Sequence, residues 1–200
     1  PAVAAATQLL GTFLSQIDSE NGTLSSLREV CEFDCGGSIN GVTVNEDGRI
    51  VAAAGHGKDV VILETNHFET AADRMCQVVQ RFAMPDNVFS VALTADGSRI
   101  AVGGSDKLAR MLDVKTGCVL FDQISGDRIR TVATGRGGVM GFGGFDQTLQ
   151  LWSTERGMST RAFPSTDVVH GISLSSDGRL LAMGGDNSKL EVFDTKSQEC

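Results

Sequence analysis

The chain has 200 residues, 41 % of them apolar and 21 % charged, an ordinary globular composition with enough length for a sizeable core. Its formal charge of −8 argues against a surface built to hold nucleic-acid phosphates, so no nucleic-acid partner is expected. The alanine-rich stretch from Pro1 to Leu10 lacks the basic start of a signal peptide and the length of a membrane span, and no membrane insertion is expected. Cys31, Cys35, Cys76, Cys118 and Cys200 form an odd set with no repeated spacing, which suits thiols in a reducing, intracellular and cytoplasmic setting.

Residues 1–35 fit the pattern of the rest least well. Ile17 to Gly22 matches Leu112 to Gly117 in spacing, so residues 10–30 are expected to supply the last two strands of an earlier unit. From residue 36 onward the chain repeats. Four glycines, Gly55, Gly104, Gly144 and Gly185, lie 49, 40 and 41 residues apart, and the residues around each follow one register.

Each copy begins with a strand carrying Val42 and Val44, Val91 and Leu93, Val132, or Ile172 and Leu174. A hairpin turn follows, as in Asn45-Glu46-Asp47-Gly48, Thr94-Ala95-Asp96-Gly97 and Ser175-Ser176-Asp177-Gly178, where Asp accepts local backbone bonds and Gly takes a positive φ. The second strand places Val51, Ile100, Met140 and Leu181 four residues before the glycine. Between its bulky positions stand Ala52, Ala101, Gly141 and Ala182, a thin face that lets a neighbouring sheet come close. After the glycine comes a third strand with Val60, Ala109, Leu149 and Leu190 at the fifth position and Leu63, Leu112, Trp152 and Phe193 at the eighth. A fourth, outer strand is expected at Val78 to Phe82, at Val119 to Phe121 and at Arg161 to Phe163. The first copy is 8 residues longer than the others, and the extra residues follow its third strand. There Asn66 and Glu69 have capping-box spacing and Phe68, Ala71, Ala72 and Met75 share a face, which predicts a short helical insertion at 66–77.

Four antiparallel strands about every forty residues, one of them ending in Trp152 or another large apolar residue, resemble the WD-repeat (WD40) family of β-propellers. The resemblance covers residues 36–200 and implies an all-β fold of about four blades, at 36–84, 85–125, 126–165 and 166–200. The family's turn aspartate corresponds to Asp106 and Asp146, with Asn187 and Gly57 in its place elsewhere, so Asp106, Asp146, Asn187 and Trp152 are implied structural positions. A seven-membered ring with this period needs about 290 residues. The chain is therefore expected to be part of a longer protein, with a four-bladed ring completed by the N-terminal strands as the alternative.

No catalytic constellation emerges. Gly135-Arg136-Gly137-Gly138 leads into a strand and not a helix, so it is no phosphate cradle. Three histidines and no tyrosine leave little for proton transfer, and His170 reads as part of the start of a first strand. Arg128, Arg130 and Arg136 form a basic cluster read as a solvated strand edge. No metal site and no cofactor are expected. In WD-repeat proteins the loops at one end commonly contact protein partners, and by position these are His56, Ser105, Phe145 and Asp186, together with Asp86, Asn87, Asp127, Arg128, Thr166 and Asp167. Phe145 is the foremost of them as an aromatic anchor. The expected function is a non-enzymatic scaffold that holds other proteins in a complex. The alternatives are a propeller enzyme with a metal held by Asp86, Asp127 and Asp167, and a phosphoinositide-binding propeller, for which Arg128-Ile129-Arg130 is a poor match.

Overall fold

The computed structural model describes residues 32–65, 76–136, 138–153 and 158–195. All regular structure among them is β. The first sheet holds β1 (Ile39–Val44), β2 (Ile50–Gly55), β3 (Asp59–Thr65) and β4 (Cys76–Ala83). The second holds β5 (Val88–Leu93), β6 (Arg99–Gly104), β7 (Leu108–Asp113) and β8 (Val119–Ile124). The third holds β9 (Ile129–Gly135), β10 (Val139–Gly144), β11 (Thr148–Ser153) and β12 (Met158–Pro164), and the fourth holds β13 (Val169–Leu174), β14 (Leu180–Gly185) and β15 (Leu190–Asp194). Strands follow sequence order within every sheet and all pairings are antiparallel.

The hairpin between first and second strands forms as its residues require. Asp47, Asp96 and Asp177 each accept the N–H two residues on, at 2.9, 3.1 and 3.0 Å, and the glycines that follow them have φ of 74°, 70° and 70°. The helical insertion expected at 66–77 falls outside the described residues except for its last two positions, Cys76 and Gln77, which begin β4. The earlier unit expected from residues 10–30 also lies outside them. Cys35 and Cys118 are free thiols, and burial pushes the Cys35 thiol up. Cys76 is disulfide-bonded, which corrects the expectation of thiols throughout. Among the described residues no helix is long and apolar enough to cross a membrane.

The sheets fan out from their first strands, with β1, β5, β9 and β13 packed each on the next. Each of the first three sheets has a forward face covered by its successor. Ala52, Ala54, Val60 and Ile62 of the first sheet meet Val88, Val91, Ile100, Val102 and Leu112 of the second. Ala101, Ala109 and Met111 then meet Ile129, Val132, Met140, Phe142 and Trp152 of the third, and Leu149 and Leu151 meet Val169, Leu181 and Met183 of the fourth. The thin face works as a spacer: a Cβ on Gly141 would lie 3.2 Å from Ile172 and 3.3 Å from Leu181 of the next sheet. Trp152 is 9 % exposed and tilts against Phe121 of the preceding outer strand, with ring centroids 4.4 Å apart, and Phe163 meets Phe193 in the same way one sheet later. Hydroxyls stitch the first strands together. The N–H groups of Leu93, Val132 and Ile172 donate to Thr43, Ser90 and Thr131 of the preceding sheet at 3.2, 3.1 and 3.2 Å. The four sheets do not close on themselves, because the forward face of the fourth is open, with Leu190 78 % exposed. The N-terminal strands expected to complete a ring of four lie outside the described residues.

Candidate functional site

One end of the fan gathers the turns between second and third strands and the residues that lead into each first strand. All four turns are built alike. The residue after the reference glycine donates its backbone N–H to the residue just ahead of the first strand: His56 to Ser38 at 2.9 Å, Ser105 to Asn87 at 2.9 Å, Phe145 to Arg128 at 3.1 Å and Asp186 to Val168 at 3.2 Å. This bond draws the backbones so close that a Cβ on Gly55, Gly104, Gly144 or Gly185 would lie 1.9, 2.1, 2.2 or 2.0 Å from the same carbonyl oxygen. The glycine is therefore required by close approach. The left-handed position of the turn falls instead on Lys58, Lys107, Gln147 and Ser188, with φ of 59°, 65°, 59° and 58°. The carbonyls of Lys58, Lys107 and Gln147 in turn accept the N–H groups of Met84, Ser125 and Ser165 at 2.6, 2.8 and 2.7 Å, which fixes the connection leaving each outer strand.

The implied structural residues sit inside this frame. Asp106, Asp146 and Asn187 each accept the N–H two residues on, at 3.2, 3.1 and 3.0 Å. Asp106 also pairs with the largely buried Arg110 at 2.5 Å. Asp146 accepts the Ser125 hydroxyl at 2.5 Å and the Gly126 N–H at 3.1 Å, so it holds the connection from the second sheet. Asn187 meets Thr166 and Glu191, both at 3.3 Å.

The lead-in aspartates are committed locally. The Asn87 N–H at 2.8 Å, and then Lys58 at 3.4 Å, hold the Asp86 carboxyl below its usual range, as the Arg128 N–H and Lys107 do for Asp127. Asp167 accepts the Val168 N–H at 2.9 Å. Among the described residues no group of three His, Cys, Asp or Glu side chains is placed to hold a metal ion. The alternative set of Asp86, Asp127 and Asp167 is thus divided among three successive sheets.

A second feature was missed in the sequence. In every first strand the pairing slips at one residue, between Ile39 and Gly41, Val88 and Ser90, Ile129 and Thr131, and Val169 and Gly171. The unpaired residues are Asn40, Phe89, Arg130 and His170, one per sheet, on the innermost strands and beside the turns. A bulge re-aims its side chain, and four in matching places give the loop end a lining of its own. Asn40 donates to the Val88 carbonyl of the next sheet at 3.0 Å. The Arg130 guanidinium lies 6.0 Å from the centre of the Phe89 ring, and no carboxylate among the described residues pairs with it. His170 Nε2 lies 2.7 Å from Asp186 Oδ1. The only sequence signal for this is that His170 and Phe89 occupy the same place in the repeat.

Phe145 is half-buried, with the Arg128 guanidinium 4.3 Å from its ring centre. Two expected site residues from different loops are thereby joined. Arg136 leaves the expected basic cluster: it sits in the hairpin at the opposite end and pairs with Glu46. A cavity of about 630 Å³ at that end is lined by Glu46, Asp96, Arg99 and Arg136 among others, away from the expected site. The loop end thus offers aromatic and guanidinium surface on backbone clamped in place.

No family model matches the chain, and comparison with curated proteins finds no match.

Proposed function

We propose that the chain is a WD-repeat-like, non-enzymatic scaffold that holds another protein on the loop end of its sheets. The observation that carries this reading is the pair of Arg–Phe stacks, Arg128 on Phe145 and Arg130 by Phe89, on bulged and clamped backbone. Arg and aromatic residues are the side chains most often responsible for binding energy at protein interfaces, and a rigid frame reduces the entropy lost on docking. The repeat register and the three turns built on Asp106, Asp146 and Asn187 support the family reading.

The test is affinity capture from cells with the wild-type chain and with a variant carrying Phe145→Ala, Arg128→Ala and Arg130→Ala. Circular dichroism serves as the control for folding. Recovery of a bound protein should fall about tenfold or more, since each anchor of this type contributes about 1–2 kcal/mol or more. Equal recovery from the two baits overturns the assignment of partner binding to this end.

A further inference from the structure

At the hairpin end the repeat breaks its own register twice. Arg136 stands where the other hairpins carry the turn aspartates Asp47, Asp96 and Asp177. Gly135 and Gly138 beside it replace Glu46, Ala95 or Ser176 and Arg49, Ser98 or Arg179. In the second sheet Arg99 begins β6 at the place held by Ile50, Val139 and Leu180. Ile50 and Val139 pack against apolar clusters, so a half-buried arginine occupies a place that the repeat gives to an aliphatic side chain.

Both departures line one cavity. The first and second hairpins are joined by the Glu46 N–H to the Ala95 carbonyl at 3.0 Å, and the third and fourth by the Arg136 N–H to the Ser176 carbonyl at 3.1 Å. Among the described residues no backbone bond joins the second hairpin to the third. The cavity of about 630 Å³ takes in this gap, with Arg99 from one sheet and Gly135, Arg136 and Gly138 from the next. Three carboxylates also line it, and each is already engaged. Asp96 accepts the Thr94 and Ser98 hydroxyls at 2.6 and 2.7 Å, Asp47 accepts the Arg49 N–H at 2.9 Å, and Glu46 pairs with Arg136. Arg99 has no carboxylate within ion-pair distance among the described residues. Asp113, opposite it on β7, accepts the Thr116 N–H and hydroxyl, both at 2.8 Å.

We propose that this cavity binds the phosphate group of a phosphate ester or polyphosphate, with Arg99 as its first contact and Arg136 exchanging Glu46 for the same group. A guanidinium fork matches phosphate oxygens two at a time, and two forks from neighbouring sheets can share one phosphate. The glycines keep side chains out of its way, and the charge comes from the arginines, since this hairpin offers no helix N-terminus. The volume lies within the range of about 300–1,000 Å³ usual for small-molecule sites. This site is at the opposite end from the loops and is independent of the reading above.

Calorimetric titration of the full chain with sodium pyrophosphate, at ionic strength held constant with sodium chloride, tests it. The wild type should bind saturably. Arg99→Leu and Arg136→Asp give each position the residue type of its counterparts, so both should fold, as circular dichroism will show, and both should bind about tenfold more weakly or worse. Glu46→Gln, which frees Arg136, should bind more tightly. Arg179→Leu removes a charge at the same end but outside the cavity and should bind as the wild type does. No saturable binding by the wild type, unchanged binding by Arg99→Leu, weaker binding by Glu46→Gln, or an equal loss in Arg179→Leu overturns the proposal. Sedimentation with phosphatidylcholine vesicles carrying a phosphatidylinositol phosphate then distinguishes the source. Capture that Arg99→Leu abolishes assigns a lipid headgroup, and pyrophosphate binding without capture assigns a soluble ligand.

Discussion

Gly144→Ala is a severe test of how the loop end is built. The new methyl group would sit 2.2 Å from the Arg128 carbonyl oxygen, 2.7 Å from the Arg130 nitrogen and 3.0 Å from the Ile129 Cα. All three neighbours are backbone, so none can swing aside, and β9 and β10 must part by most of an ångström at the bulge. That breaks the bond from Phe145 N–H to Arg128, at a cost of about 1 kcal/mol. It adds overpacking strain of about 1–3 kcal/mol. The sum, about 2–4 kcal/mol, corresponds to a fall in melting temperature of about 4–16 °C for a chain of this length. Two other glycines calibrate the result. A Cβ added at Gly171 would meet no atom within 4 Å, and the residue has no positive φ, so Gly171→Ala should stay within about 0.5 kcal/mol. Gly48 has open space but a φ of 74°, so Gly48→Ala should cost about 1 kcal/mol from backbone strain alone. Differential scanning calorimetry of the three variants gives the order directly. If Gly144→Ala melts with Gly171→Ala, close approach is not what the repeat's glycine provides.

Two further outcomes follow from side chains. The turn residue two after the glycine and the strand residue four further on change together from sheet to sheet: Gly57 with Val61, Asp106 with Arg110, Asp146 with Gln150, Asn187 with Glu191. Asp106→Gly should cost about 1–3 kcal/mol by leaving the largely buried Arg110 unpaired, and adding Arg110→Val should recover part of that loss, as urea unfolding of the double-mutant cycle will report. No coupling between the two would mean that Arg110 is adequately solvated without its partner. In acid, the Asp96 carboxylate accepts the Thr94 and Ser98 hydroxyls at 2.6 and 2.7 Å, which hold its pKa below the usual value. A depressed folded pKa means stability that is complete above the unfolded value of about 3.9 and lost as pH falls through the folded one. Stability should therefore decline below about pH 4, and Thr94→Ala should flatten that decline; an unchanged slope would show that Asp96 does not contribute to it.

Much of this fold is written locally. Alternation in Val60-Val61-Ile62-Leu63 and its counterparts marks strands, Asp47-Gly48 and Asp96-Gly97 mark hairpins, and the forty-residue return marks a stack of like sheets. The positions near the loop end were legible for the same reason, since Ser105, Phe145 and Asp186 hold one place in the register. What could not be read was which side chains meet. Arg128, Arg130 and Arg136 look like one cluster along the chain, yet the strand from Ile129 to Gly135 carries Arg136 to the far end, where it pairs with Glu46.

The amino-acid order by itself determined strand positions, turn types and the thin and bulky faces, because each depends on side-chain size and backbone preference over a few residues. Tertiary structure alone decided the bulges at Asn40, Phe89, Arg130 and His170, the stack of Arg128 on Phe145, and the exposure of Leu190 beside its buried counterparts. These depend on register slips and on which sheet lies next. Leu190 and Leu149 are the same residue in the same place of the repeat, and among the described residues only the presence or absence of a neighbouring sheet separates them.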